Sequence, residues 1–315
     1  MKLTDLRKIS ESIARKQLPP DPQAMVQELI ALGYDPNHLY QELEMESRFV
    51  DTHQDTSYSN MNVALHSHAF YEVLYCRNSC GAEYLVGSER YRLQKGDVIL
   101  IAPGVSHRPL LPERMAEPYQ RDVLWISQDF VPMLRHAVPG LQKELLQERS
   151  LLRTAGTPWE MIGQLFQNGV VEAENRAPGW ELAVMGNTVT LLSCLYRAFL
   201  DQDAVTAPAE QPERLEQILA YIESHLDQKI TLAEVAHHFF ISESTITQLF
   251  RKKMGVSFYR CITQRRLITA KTLIERGMQL EAVALQTGFG DYSGFYRAFK
   301  QEYGISPRQY RALQQ

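Results

Sequence analysis

Residues 280–300, LEAVALQTGFGDYSGFYRAFK, contain two short helical patterns that a glycine-rich turn separates. The first pattern has apolar residues at helical spacing, and residues 288–290 then interrupt it with glycines, which adopt a positive φ freely. Asp291 is a suitable N-cap for a second helix, and Phe295 and Phe299 form the apolar stripe of that helix. The stretch therefore predicts a helix-turn-helix.

The face of the second helix opposite its apolar stripe carries hydroxyl, aromatic and basic side chains. Hydrogen-bond donors and positive charge on a convex helical surface suit the major groove of DNA. The residues predicted to contact DNA from this helix are Tyr292, Ser293, Tyr296, Arg297 and Lys300.

A second copy of the pattern occurs in residues 230–253, ITLAEVAHHFFISESTITQLFRKK. Thr231 and Glu234 have the spacing of a capping box, and Ser242 is placed to cap the second helix. Its outward residues, also predicted to contact DNA, are Ser244, Thr245, Thr247, Gln248 and Arg251. Residues 257–276 between the units predict a helix of ~30 Å. That length is close to one DNA turn of ~34 Å, so we expect the two reading helices to enter successive major grooves.

Residues 212–313 resemble the DNA-binding domain of AraC/XylS-type transcription regulators. The motifs that carry the resemblance are AEVAHHFFISESTITQLFRKKMGVSFYRCITQRRLITAKTLI and VALQTGFGDYSGFYRAFKQEYGISPRQYR. It implies base or phosphate contacts for Ser244, Thr247, Gln248, Ser293, Tyr296 and Arg297. It also implies activation as the mode of action, with promoter DNA, RNA polymerase and a second copy of the chain as partners. The family often has a basic or aromatic side chain in the first reading helix. This chain has small polar groups and a glutamine there, so we expect weak base discrimination by the first unit.

The charge of the chain is divided between its two parts. From Pro212 onward there are fourteen Lys plus Arg against ten Asp plus Glu, whereas the remainder has nineteen against twenty-seven. The basic part is the one predicted to meet phosphate. The length of 315 residues allows two domains, and four scattered cysteines indicate no disulfide framework. No long apolar run or signal peptide is evident, which predicts a soluble cytoplasmic protein.

The amino-terminal part changes character along its length. Residues 1–60 predict a helical arm, and residues 61–135 contain short β-rich runs with glycine turns, typical of a sandwich or small barrel. HSHAFYEV and the later KGDVILIAPGVSHRP resemble the cupin sensor domain found in many AraC-type regulators. Residues 136–201 predict helices, and residues 202–212 a linker.

Four polar side chains are the candidate site of this β-rich region. His66, His68 and Glu72 have the same parity and would share one face of a strand, and His107 could join them from another strand. The pattern matches the metal quartet of catalytic cupins, and its donors suit Zn, Fe or Mn. The alternatives are residues that line a ligand site without metal, or structural hydrogen bonding.

Other side chains of this region could hold a sugar or a similar small polar molecule. Arg92 is a predicted ligand-binding residue together with the four polar groups, and Tyr71 adds aromatic surface. Tyr84 and Trp125 could contribute as well, although core packing is the favoured interpretation for both.

The helical region 136–201 contains an apolar stripe at three- and four-residue steps. This stripe could pack on the β-rich domain or form a homodimer contact. Its members are Leu182, Met185, Val189, Leu192, Leu195 or Tyr196, and Phe199.

The predicted fold class is a two-domain α+β protein. It has an amino-terminal cupin-like β-barrel with flanking helices, and an all-α domain over residues 213–315 with two helix-turn-helix units joined by a long helix. The predicted function is a ligand-responsive transcription activator of nutrient genes, with carbohydrate genes as the candidate class. The chain is predicted not to be an enzyme and to require no cofactor. The alternatives are a metal-dependent cupin enzyme and a ligand-independent DNA-binding protein, which metal analysis and effector-induced stabilisation would separate.

Overall fold

The computed structural model describes residues 30–31, 45–57, 65–112, 115–137, 151–201 and 214–313. The amino-terminal part is rich in β-strands, and the carboxyl-terminal part is entirely helical. The predicted fold class of two domains is therefore confirmed. The predicted linker at 202–212, and most of the predicted arm at 1–60, lie outside the described residues.

Antiparallel strands of the described residues form two sheets, one in the order β1-β7-β2-β5-β8 and one in the order β4-β3-β6. The strands are β1 Val50–Ser57, β2 Tyr71–Cys76, β3 Glu83–Val86, β4 Glu89–Arg92, β5 Asp97–Ile101, β6 His107–Leu110, β7 Tyr119–Ile126 and β8 Leu151–Arg153. Both sheets contribute to one apolar core, which includes Leu74 and Trp125 from the first sheet and Tyr84 and Tyr91 from the second. The described strands thus form two open sheets that share a core, the sandwich arrangement that the strand spacing predicted as the alternative to a small barrel.

Two strands lie where the sequence predicted helix. β1 falls inside the predicted arm at 1–60 and pairs with β7 along its whole length, and β8 falls inside the predicted helical region 136–201 and pairs with β5. Pairing with a partner distant in sequence determined both strands, and local periodicity does not report such pairing. The helices of this part are α1 Phe130–Ala137, α2 Ile162–Asn175 and α3 Trp180–Leu200.

Helix α3 carries the predicted apolar stripe, and the structure divides it between two environments. Leu192 and Leu195 are buried in the core beneath α2 and β1, whereas Leu182 and Val189 are 76% and 41% exposed. By length and composition α3 is also apolar enough to span a membrane, a property that the core helix of a globular protein can share. Its buried side packs on the sheet as predicted, while part of the stripe remains uncovered.

The carboxyl-terminal domain consists of short helices around one long helix. These are α4 Arg214–Ser224, α5 Leu232–His238, α6 Glu243–Leu249, α7 Phe258–Glu275, α8 Leu280–Gln286, α9 Tyr292–Tyr303 and α10 Pro307–Leu313, with a π-helical turn at Phe250–Met254 extending α6. The first unit, α5–α6, and the second unit, α8–α9, pack on neighbouring parts of α7 through separate apolar cores. The predicted long connecting helix is therefore present.

Candidate nucleic-acid interface and polar centre

Helix α6 begins at the cap that the sequence predicted. The Ser242 hydroxyl accepts a hydrogen bond from the backbone N–H of Thr245, while the capping box of α5 joins Thr231 and Glu234. Ile246 is fully buried against the core of the first unit. The polar residues on the other side of α6 are therefore fixed outward, and Ser244, Thr245, Gln248 and Arg251 are exposed while Thr247 is half-buried.

Helix α9 repeats this arrangement with different chemistry. The Asp291 carboxylate accepts from the backbone N–H of Gly294, and Phe295 and Phe299 are fully buried. The outward residues Ser293, Arg297 and Lys300 are exposed, and Tyr292 and Tyr296 are half-buried. Within the described part of the chain no ion pair engages Arg297 or Lys300, so both charges are available to phosphate or base. None of the ten residues predicted to contact DNA lies in the core, and their contact with DNA stays a prediction.

The smaller sheet packs directly against the DNA-binding domain. Leu65, Leu85 and Leu110 share one apolar core with helix α4 and the first unit. At the same boundary, Arg90 and Glu216 form a buried ion pair with Nε and Oε1 3.0 Å apart. The two domains are therefore joined by both apolar and charged contacts.

Two further arginines cross this boundary next to His107. Arg108, on β6, donates from Nη1 to the Met254 carbonyl at 2.8 Å. Arg265, on α7, donates to the Gly87 carbonyl at 3.1 Å and to the Ser106 hydroxyl at 3.3 Å, and it also pairs with Glu223. Burial lowers the pKa of Arg265 to about 10. Its hydroxyl, carbonyl and carboxylate partners offset part of the cost of burying its charge.

A cleft of about 270 Å³ lies beside these contacts. It is lined by residues of both domains: Gly87, Gly104, Val105, Ser106, Glu223, Arg265, Ile268 and Thr269. Charged and hydroxyl groups at a domain boundary are suited to a small polar ligand.

His68, Glu72 and His107 meet in the interior of the β-rich domain. Their ligand atoms all lie within 4.8 Å of one another, and all three residues are buried. Oε2 of Glu72 is 3.2 Å from Nε2 of His107 and 3.6 Å from Nε2 of His68. Glu72 stands opposite Trp125 in the β2–β7 register, which brings the indole N–H to Oε1 of Glu72 at 2.9 Å.

The electrostatics of this polar centre reflect its burial. Burial lowers the pKa of His68, although contact with Glu72 opposes that effect. For Glu72, burial acts to raise the pKa, but the contacts with His107 and His68 together outweigh it and hold the pKa well below the usual value. A buried carboxylate with two histidines beside it is a donor set that suits a cation.

The two remaining predicted ligand residues, His66 and Arg92, lie in different places. His66 forms an isolated backbone bridge with His107, and their ring centroids are 4.3 Å apart, but His66 is not part of the close ligand group. Arg92 is on the surface beside Glu83, with a side chain 63% exposed, and is not part of the polar centre. Both remain predicted ligand residues.

The prediction of one strand for His66, His68 and Glu72 requires a correction. Only Glu72 lies on a regular strand, β2; His66 forms the bridge, and residues 69–70 bend the chain before β2 begins. The bend still returns His68 to the side of Glu72.

Sequence reasoning missed the residues that join the domains. Arg108 follows a candidate site histidine, and Arg265 is one of two adjacent arginines in α7, but neither position differs locally from a surface arginine. Trp125 was interpreted as core, and it is buried, but it also donates to Glu72. Only the β2–β7 register reveals that role.

Comparison with known proteins identifies the helical domain. Residues 235–313 match a family model described as a helix-turn-helix domain. The probable transcriptional regulator LumQ of Photobacterium leiognathi is 40% identical over 102 residues, which span 31% of this chain and 41% of LumQ. The transcriptional activator RhaS of Citrobacter koseri is 25% identical over 252 residues, 78% of this chain and 86% of RhaS. Among solved structures, an apo ToxT variant from Vibrio cholerae is 15% identical, with a TM-score of 0.37, and covers 88% of this chain and 100% of its own.

Proposed function

We propose that this chain, a DNA-binding transcription regulator of the AraC family, binds promoter DNA with helices α6 and α9 and changes that binding when an effector reaches its amino-terminal domain. One observation carries the proposal. Each of the two helices buries an apolar stripe, around Ile246 and Phe295 respectively, and leaves a polar face exposed. Because α6 and α9 belong to units that pack on the same long helix, α7, their two polar faces favour a DNA site with two parts.

Helix α7 sets the spacing of the two units. Its 18 residues extend for roughly 27 Å at 1.5 Å per residue, somewhat less than the ~34 Å of one DNA turn. The reading helices then enter successive major grooves on one side of the duplex. Arg297 can contact a guanine edge with two hydrogen bonds and Gln248 an adenine edge, while Arg251 and Lys300 suit phosphates.

Reversal of charge on α9 tests DNA binding directly. The Arg297→Glu/Lys300→Glu variant should lose most of its affinity for promoter DNA in an anisotropy titration, because both groups are exposed and unpaired within the described chain. Lys95→Glu is the control for charge reversal elsewhere, since it reverses one positive charge on the exposed surface of the other domain. Equal affinities of the double variant and the control would contradict the proposal.

The effector is proposed to act through the contacts at the domain boundary. Arg108 and Arg265 join the β-rich domain to the DNA-binding domain, so a ligand that favours one arrangement of these contacts changes DNA binding. The polar cleft of about 270 Å³ supports a small polar effector, with sugars and sugar acids as the first candidates. Melting of the full chain against a sugar library tests this, because a bound effector raises the melting temperature and a non-binder does not.

The remaining proposals concern partners and place of action. RhaS is a transcriptional activator, which supports activation by this chain through contact with RNA polymerase. The exposed Leu182 and Val189 of α3 support a homodimer. Because promoter DNA lies in the cytoplasm of a bacterium, we propose that the protein acts there. Its relatives LumQ and RhaS are transcription regulators, which supports a role in DNA binding without catalysis.

A further inference from the structure

The two histidines of the polar centre have defined tautomers. Nδ1 of His68 is 2.8 Å from the Phe70 carbonyl, and Nδ1 of His107 is 2.8 Å from the Val105 carbonyl. A carbonyl oxygen only accepts, so each Nδ1 carries the hydrogen. In the neutral ring, Nε2 is then left with an unprotonated lone pair.

Both Nε2 atoms lie close to the same carboxylate oxygen. Oε2 of Glu72 lies 3.2 Å from Nε2 of His107 and 3.6 Å from Nε2 of His68. Within the described residues, none of these three buried atoms has a hydrogen-bond partner in a suitable geometry. The other oxygen of Glu72 is occupied by the Trp125 indole N–H. With both rings neutral, three electron-donating atoms lie together away from water, a costly arrangement unless a positive charge lies among them.

We infer that His68, Glu72 and His107 bind a divalent transition-metal ion through Nε2, Oε2 and Nε2. Two imidazoles and one carboxylate are the donors of zinc sites and of non-haem iron sites, and manganese accepts the same set. The carbonyls of Phe70 and Val105 fix the histidine tautomers, as the outer partners of metal-binding histidines do.

The surroundings fit an ion and exclude a sugar at this point. The ring of His68 stacks on Phe70 with centroids 4.0 Å apart, and Trp125 packs on Phe70 at 4.8 Å. His107 is completely buried. Aromatic side chains thus fill the space around the three donors, whereas the polar cleft lies at the domain boundary.

The position of His107 connects the metal to the DNA-binding domain. Its two chain neighbours both cross the boundary, Ser106 by accepting from Arg265 and Arg108 by donating to the Met254 carbonyl. A metal that holds His107 therefore restrains both contacts. This step rests on the proposed function, because its outcome is a change in DNA binding.

Metal binding is tested on the full chain, stripped by a chelator and dialysed against ZnCl2 or MnCl2. Wild type should retain one ion per chain at this site, and Glu72→Gln and His68→Gln should bind at least about tenfold more weakly, since loss even of an outer partner costs 10–100-fold. His136→Gln removes an exposed histidine of the same domain and should bind like wild type. Absence of the ion from wild type, or unchanged affinity in Glu72→Gln, would overturn the site. Cobalt absorption adds a readout of the ligand set, and circular dichroism checks the fold of each variant.

The coupling is tested by DNA titrations of the metal-free and metal-loaded protein. Wild type should change its DNA affinity severalfold on loading, whereas Arg108→Met should bind the ion normally and lose that change. Equal DNA affinities of loaded and metal-free wild type would refute the coupling. Wild type that binds no DNA in either form would contradict the proposed function instead, and the ion count would still decide the metal site.

Discussion

The first and second helix-turn-helix units form the same turn with different residues. In the first unit, three backbone N–H groups donate to carbonyls of the preceding helix: Phe239 to Val235, Phe240 to His237 and Ile241 to Ala236. In the second unit the corresponding backbone bonds are Thr287 to Val283, Gly288 to Leu285 and Phe289 to Ala284. The third residue of each set closes the turn with a bond back into the preceding helix. Phe240 and Gly288 occupy the equivalent position, with φ of 54° and 76°. A phenylalanine therefore adopts the left-handed conformation in one unit that glycine adopts in the other.

The two turns also differ in what surrounds them. Phe240 is 91% exposed, so its side chain has space. At Gly288 an added Cβ would lie 2.2 Å from the Leu226 carbonyl oxygen and 2.8 Å from the Arg266 guanidinium. The conformation is required in both units, but only the second also requires the absence of a side chain.

The reading faces differ as well. The first offers hydroxyls and Gln248, with one arginine at the end of the helix, whereas the second offers two tyrosines together with Arg297 and Lys300. The two units thus share a backbone arrangement while their recognition chemistry differs. We therefore expect the second unit to supply more of the DNA affinity.

The largest effect should come from truncation in the core of the second unit. Phe295→Ala removes a fully buried ring, which should lower the free energy of unfolding by ~3–5 kcal/mol. Urea unfolding of the full chain measures this loss. Ile246→Ala is the counterpart in the first unit and should cost somewhat less. Unchanged unfolding of Phe295→Ala would mean that the faces of α9 are wrongly assigned.

Alanine at Phe240 and at Gly288 measures how much each turn depends on its residue, as a change in the free energy of unfolding. Gly288→Ala should cost about 2–4 kcal/mol, because left-handed strain of ~1–2 kcal/mol adds to the clash with the Leu226 carbonyl. Phe240→Ala has no buried side chain to lose and already has the strained backbone, so its unfolding should stay close to that of wild type. Similar losses in the two variants would show that the difference between the turns has no energetic consequence.

The reading faces are compared by single truncations in DNA titrations. Arg297→Ala should weaken promoter binding by ~1–3 kcal/mol if the guanidinium reads a base, and leave the fold intact because the side chain is exposed. Gln248→Ala should cost less than Arg297→Ala. A larger loss for Gln248→Ala than for Arg297→Ala would mean that the first unit contributes more of the DNA affinity than the second.

The helix caps should contribute equally to the two units. Asp291→Ala and Ser242→Ala each remove the acceptor for a backbone N–H at the start of a reading helix. Each should cost about 1 kcal/mol of unfolding free energy. Thermal melts of the two variants measure the losses, and a cost confined to one of them would show that only that helix depends on its cap.

The smallest expected effect is a gain in stability from Phe240→Gly. Phe240→Gly relieves left-handed strain without loss of packing and should stabilise the protein by about 1 kcal/mol or less, because the added freedom of the unfolded chain opposes the gain. A melting temperature below that of wild type would indicate that the exposed ring of Phe240 stabilises the fold.

Local sequence signals predicted the helical domain well. The glycine turn at 288–290, the caps Ser242 and Asp291, and the capping box at Thr231 are all present as the spacing predicted. Each depends on residues within four positions of one another, so the sequence contains the whole interaction. The same holds for the polar faces of α6 and α9, which follow from helical periodicity.

The contacts that span long separations could not be predicted in this way. Strand β1 forms because it pairs with β7 some 70 residues away. The bonds of Arg108 to Met254 and of Arg265 to Ser106 join residues 146 and 159 positions apart. The sequence pattern grouped His66, His68, Glu72 and His107, and the ligand atoms of the last three lie within 4.8 Å of one another. The bend that brings His68 to Glu72, and the carbonyls that fix both tautomers, appear only in the fold.

The central claim is that α6 and α9 read two adjacent segments of one duplex. Selection of binding sequences from random duplex DNA, performed with wild type and with Arg297→Ala, tests it most directly. Wild type should enrich a site of two elements about one turn, roughly 10 base pairs, apart. Arg297→Ala should keep one element and lose preference in the other. Enrichment of no motif, or of a motif that the substitution leaves unchanged in both elements, would contradict the account.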